Sequence, residues 1–460
     1  MPVAGPRGPA ACGGRSIPRV PEPATGEPAA GRPAGRLRRL LADTRPLAQP
    51  DFRRLWLANI VTVIGAQLTV VAVPQQVFEI TRNSAYVGLT GAFALVPLVA
   101  FGLWGGALSD ALDRRRLLLV TTCGLVLSTL AFWAQAAAGN RNVWLVMGLL
   151  SVQQAFFAVN QPTRTAVIPR LLPAGQLAAA NSLNMTVMQF GAIVGPLAAG
   201  TLIPVLGLPT LYLLDSVALL ATLWAVWRLP PQPPAGHARA PGLSSVLDGF
   251  VYLATRRILL ASFVVDLVAM VFGMPRALFP QIAHETFGDP AGGGTALGLL
   301  FAAMSVGAVL GGVFSGWVPR VRRQGLAVLV CIAVWGAAVT AFGLVVAVAA
   351  PGGPRVWLWC ALAALALGGA ADMASSAFRQ AILLEAATDE MRGRLQGVFL
   401  VVVVGGPRVG DVLHGVAAAG VGTAAAAAGG GVAVVLGTGL AALAFPAFLR
   451  YTVGRATART

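Results

Sequence analysis

Twelve apolar runs of about 20 residues, the length that carries a helix across a bilayer core, punctuate the chain between residues 55 and 449. They fall at 55–78, 86–108, 117–138, 143–163, 183–206, 209–228, 258–283, 295–318, 326–350, 355–378, 395–418 and 424–449. Inside lipid every backbone N–H and C=O must find its partner within the protein, so runs of this length fold as helices. Composition agrees: 57% of the residues are hydrophobic and 11% charged, against about 25% charged in an ordinary soluble domain. The expected fold class is all-α and integral to the membrane, with twelve transmembrane helices and the lipid bilayer as the first partner.

The longest polar break, "RLPPQPPAGHARAPGLSSVLDGFVYLATRR", lies near the middle and divides the spans into two groups of six. This gives an arm at 1–50, a first half at 51–228, a linker at 229–257, a second half at 258–450 and a tail at 451–460. The arm is rich in Pro, Gly, Ala and Arg and has no apolar core, so it reads as a disordered segment rather than a signal peptide. An even number of spans puts both termini on one side. Only Arg82, Arg141 and Arg355 fall in the loops of the opposite side, and Arg276 and Arg408 lie within spans. By the positive-inside rule the termini, the linker and the arginine-rich loops are cytoplasmic, and the expected location is the plasma (inner) membrane.

The halves also echo each other. "GGALSDALDRRRLLL" follows the second span and "GGVFSGWVPRVRRQG" the eighth, while "RTAVIPRLLPAGQLAAANSL" follows the fourth and "RQAILLEAATDEMRGRLQGV" the tenth. Two six-helix halves with matching loops are the pattern of a duplicated transporter.

Other classes find little support. All 33 basic residues are arginine, so the chain has no phosphate-binding lysine for a Walker A loop and is not a P-loop ATPase. The net charge of +16 sits on one side of the membrane and does not call for nucleic acid. Cys12, Cys123, Cys331 and Cys360 show no metal-ligand or disulfide spacing. There is no HExxH, no GxSxG and no histidine cluster among His237, His284 and His414, which leaves a membrane enzyme or receptor as a distant alternative and implies no metal and no cofactor.

A charge at the bilayer centre costs at least ~2.5 kcal/mol, so polar residues kept there are expected to face a protein interior or a water-filled path. Arg408, Asp411 and His414 follow one another at i+3 spacing in "GGPRVGDVLHG" and should present one face to the cavity between the halves, with Arg408 and Asp411 as a pair. Span 7 carries Asp266 and Arg276, about 80° apart on a regular helix. Asp372 lies two turns before Arg379, which suits either a structural pair or a proton site. Asp411, Asp266, His414 and Asp372 are the candidate proton-coupling groups, with Arg408, Arg276 and Arg379 as charge partners. Asp215 reads as a helix-end or loop partner, and Glu79 as an interfacial partner of Arg82. Gln67, Gln75, Gln154 and Gln189 are candidates for the substrate path.

"GGALSDALDRRR" resembles motif A of the major facilitator superfamily, matched by Gly106, Asp110, Arg114 and Arg115, with Asp113 where the family usually has glycine. "GAIVGPLAAG" resembles antiporter motif C, with Gly191, Gly195, Pro196 and Gly200 in register and Ala199 in place of a glycine. Physically, Gly191 and Gly195 let two helices approach, and Pro196 removes a backbone hydrogen bond. "PDFRRLWLANIVTVIGAQLTVVAVPQQVF", "MPRALFPQIA", the Arg164 loop and "RGRLQGV...GPRVGD" further resemble the drug and siderophore exporter branch. The resemblance spans about residues 47–450. It implies secondary-active efflux of an amphiphilic small molecule by proton antiport and alternating access, performed by a monomer. An importer or uniporter of the same fold is the alternative.

Overall fold

The computed structural model describes residues 43–233, 251–386 and 389–452, and the side chains at 103, 105–107, 109–110 and 386–401 are outside that description. Thr44–Thr460 cluster as one compact unit. The arm through residue 42, the linker from 234 to 250 and the tail from 453 lie outside the described residues.

The first four spans are α1 (Pro50–Thr81), α2 (Ser84–Ala111), α3 (Arg114–Ala137) and α4 (Val143–Leu171). Spans 5 and 6 form one element, α5 (Leu177–Trp227), broken at Gly207, whose φ of 74° and ψ of 164° are open to glycine. The break is a reversal. Gly191 packs on Val63 of α1 and Asp215 on the neighbouring Gly65, although a straight helix would set residues 191 and 215 about 36 Å apart.

Span 7 is also broken, against the expectation of a continuous helix. It runs as α6 (Arg257–Phe272), a tight turn at Arg276–Leu278 and α7 (Phe279–Glu285). Gly273 and Pro275 end α6, and the buried Trp335 ring donates its N–H to the Gly273 carbonyl at 3.2 Å. The remaining spans are α8 (Thr295–Val313), α9 (Gln324–Val348), α10 (Val356–Ala386), α11 (Asp389–Val421) and α12 (Thr423–Ala444).

Within the first half α1 packs on α5, α2 on α4, and α3 on both α4 and α5. In the second half α9 packs on α10 and α12, α8 on α10, and α6 on α11 and α12. The halves meet mainly along α2 with α11 and α5 with α8. Glycines set both crossings: a Cβ at Gly88 would strike the Asp411 carbonyl and Gly415, one at Gly91 the Arg408 carbonyl, and Gly200 faces Gly298. Close backbone approach of this kind is how helices associate without a hydrophobic driving force.

The contact does not persist along α2. Gly102 lies on nearly the same helix face as Gly91, about 20° away, yet a Cβ there would meet nothing within 4 Å. The halves touch at the end where α2 begins and part toward the arginine-rich end.

Candidate functional site

A cavity of about 600 Å³ occupies the space between the halves. It extends from Phe52, Ile168 and Asn184 near the arginine-rich end to Ala277 and Phe301 at its depth. Trp56, Phe157 and Phe301 give it aromatic surface, and Arg164, Asp215, Arg276, Arg408 and Asp411 give it ionisable groups.

Two residues of the α11 triplet reach this cavity and the third does not. Arg408 and Asp411 line it, Arg408 donating to Gln154 Oε1 at 3.5 Å. Asp411 is paired with Arg276 at 3.4 Å rather than with Arg408. The broken span explains the exchange, because the turn after Pro275 swings Arg276 out of the α6 helical register and against α11. His414 is buried in the second half. Its Nδ1 is 2.9 Å from the Gly410 carbonyl, and Nε2 points at Gly430 of α12 and the Phe272 carbonyl.

Asp266 and Asp372 also lie away from the central cavity. Asp266 forms a salt bridge with Arg379, and Arg379 reaches Asp372 at 3.6 Å. The Asp266 and Arg379 side chains are only 2% and 4% exposed. This triad lies inside the second-half bundle.

Of the glutamine candidates, Gln67 and Gln154 line the cavity. Gln75 is buried at the closed end and donates to the Ala291 carbonyl at 2.9 Å, bridging the halves, and Gln189 is not part of the lining. The Glu79 to Arg82 pair is replaced by Arg82 stacked over Phe78, with its guanidinium 3.1 Å from His284 Nε2.

Asp215 is the residue the sequence misplaced. It lies about 12 Å along the helix from the Gly207 reversal, 1% exposed, on the cavity wall, where it accepts the Thr69 hydroxyl at 2.5 Å. The available signal was its company: Tyr212 and Ser216 share its turn, and each makes an interhelical hydrogen bond, to Gln76 at 2.8 Å and to Thr129 at 2.9 Å.

Around motif A, Gly106 and Asp110 lie outside the described side chains. Arg114 donates to the Ala166 carbonyl of α4 at 3.2 Å and Arg115 to the Trp227 carbonyl at 2.6 Å. Asp113, the departure from the motif, caps α3 through the Arg116 N–H and accepts the Gln232 N–H, both at 3.1 Å. In motif C, Gly191 and Gly195 sit against Val63 and Gln67 of α1, while Pro196 and Gly200 face Gly298 across the halves. The helix continues through Pro196 and breaks at Gly207.

Comparison with known proteins agrees with this architecture. A family profile described as transmembrane secretion effector matches residues 42–450. Curated relatives include the enterobactin exporter EntS of Citrobacter koseri and that of Shigella boydii, each 29% identical over 80% of this chain and 85% of the relative. Among solved structures, the nucleoside transporter NupG aligns with a TM-score of 0.69 at 13% identity, covering 86% of this chain and 99% of its own. A bacterial homologue of the iron transporter ferroportin, in an inward-facing state, aligns at 0.62 and 15%, covering 87% and 98%. At these identities the structural likeness speaks for the fold. The protein is a multi-pass membrane transporter of a small molecule, and it belongs to the transmembrane secretion effector family within the major facilitator fold.

Proposed function

We propose that the chain exports an amphiphilic, siderophore-like small molecule by alternating access, driven by proton antiport, with both termini in the cytoplasm. The observation that carries this reading is the cavity, which is closed where α2 and α5 meet α11 and α8 and widens toward the arginine-rich end. With that end cytoplasmic, the cavity is positioned to load from inside the cell. Its lining suits the substrate class: aromatic faces at Trp56, Phe157 and Phe301 receive an apolar body, and Arg164, Arg276 and Arg408 receive acidic oxygens. The relatives named as enterobactin exporters support the same direction.

Residues 1–50 and 451–460 are then cytoplasmic ends, and 229–257 the cytoplasmic strap between halves at 51–228 and 258–450. Of the four sequence-derived coupling candidates, Asp411 alone lines the cavity among the described residues. Its partner Arg276 ties it to the substrate-facing wall.

Uptake of labelled enterobactin into inverted vesicles from cells making the protein tests the reading. An imposed gradient, acid inside the vesicle, should drive accumulation, and a protonophore should abolish it with ATP held constant. Accumulation only in right-side-out vesicles would instead favour an importer.

A further inference from the structure

The Asp215 carboxyl is set apart from Asp266, Asp372 and Asp411, each of which faces an arginine. Asp411 has Arg276, and Asp266 and Asp372 share Arg379. Asp215 has one hydroxyl, Thr69, and its second oxygen, Oδ1, lies unbonded against Gly65. It nevertheless belongs to the wall of the central cavity.

An aspartate held in apolar surroundings with no cation beside it is expensive to charge, and protonation removes the cost. The elements around it leave that balance intact. From α1 it meets Gly65 and Thr69, α3 brings Thr129 and the Phe132 ring against the adjoining turn, and α8 contains no ionisable residue. Glu79 lies more than two turns beyond Thr69 on α1. The remaining ionisable groups that face the cavity are Arg164 on α4, Arg276 in the span 7 turn, and Arg408 and Asp411 on α11. None of them bonds to Asp215 among the described residues.

We infer that Asp215 is the proton-carrying group of the transport cycle, a role none of the paired aspartates is built for. This deepens the proton-antiport reading and rests on it. The carboxylate takes up one proton from water and becomes a neutral acid; the same O–H later returns that proton to water on the other side, and no other bond changes. Gly65 and Ala218 leave no room for a larger neighbour at this site, so the charge state is coupled to how α1 packs on the second arm of α5. That packing forms one wall of the chamber.

The full chain in nanodiscs, without substrate, gives the direct test. A pH titration followed by infrared difference spectroscopy should show a protonated-carboxyl band that is absent in Asp215→Asn and retained in Asp411→Asn. Asparagine keeps an oxygen for the Thr69 hydroxyl, so the variant should remain folded. An unchanged band in Asp215→Asn overturns the inference. If that variant does not fold, Thr69→Val decides: loss of its hydrogen bond should shift the band, and an unshifted band overturns the assignment. In proteoliposomes, Asp215→Asn should lower gradient-driven uptake of labelled enterobactin by more than about tenfold relative to that same variant's own exchange rate. Gradient-driven uptake at the normal rate in that variant overturns the inference. Should the unsubstituted protein carry no enterobactin, the efflux reading fails on its own, and the infrared result still decides whether Asp215 titrates.

Discussion

At the residue scale the aspartates in the bundle divide by what surrounds them. The Asp266–Arg379 pair is sealed, so Asp266→Asn leaves a buried guanidinium with only Asp372 at 3.6 Å. Breaking such a pair costs about 3–5 kcal/mol. The expected outcome is a lower unfolding temperature and a lower yield of detergent-purified protein, and an unchanged melting curve would remove this pair from the structural framework. Asp411 and Arg276 are 14% and 35% exposed, so cavity water screens the loss and Asp411→Asn should keep its yield while transport falls. If Arg276 is the working partner, Arg276→Gln with Asp411→Asn should transport better than Asp411→Asn alone, whereas Arg408→Gln with Asp411→Asn should not. The i+3 spacing of Arg408 and Asp411 was visible in the sequence because a helix has a fixed period. Arg276 as the partner was not, because its position depends on a helix break held by Trp335, far along the chain. Asp215 was hidden for a related reason: its burial comes from α1 folding against it, and the sequence alone shows only an aspartate near a Gly-Leu-Pro turn.

At the scale of elements, apolar length was enough to find every span, since lipid permits few alternatives to a helix of that length. What length could not give is how helices pair, and in this protein glycine gives it. Gly207 has the backbone conformation that reverses α5, and a Cβ added there would meet only Pro209 Cδ, at 3.6 Å. Gly207→Ala should therefore act through the backbone alone, at a cost of about 1–3 kcal/mol, read as a shift in thermal unfolding with the cavity unaltered; full stability would mean the hairpin turns by another route. Gly91 is a different case, because a side chain there runs into the Arg408 carbonyl on the other half. Gly91→Val should insert and fold within each half but fail to close α2 on α11, so transport should drop while the yield holds. Wild-type transport by this variant would show that the crossing is not needed tight.

At the scale of the whole molecule, one end of the chamber is closed by glycine contacts and the other is open, with the motif A arginines beside the open end. Arg114 and Arg115 bond to Ala166 and Trp227, both within the first half. A latch between these arginines and the second half would tighten as the open end closes. Alternating access makes this a statement about two distances that change in opposite senses. Gly102 and Gly316 lie toward the arginine-rich ends of the two halves, Gly148 and Gly420 toward the other ends, and a Cβ at each meets nothing within 4 Å. Spin labels can therefore be placed at all four without disturbing packing, once Cys12, Cys123, Cys331 and Cys360 are replaced by serine. Under conditions that drive the cycle, the Gly102 to Gly316 distance should shorten while the Gly148 to Gly420 distance lengthens. The same labels in Asp215→Asn should lose their dependence on pH, since the neutral side chain no longer changes charge. Asp110→Asn should also hold the first pair apart, if motif A fastens the closing end. Distances that move in the same sense, or that follow pH as before in Asp215→Asn, would separate the opening of the chamber from the proton and leave the gradient acting elsewhere.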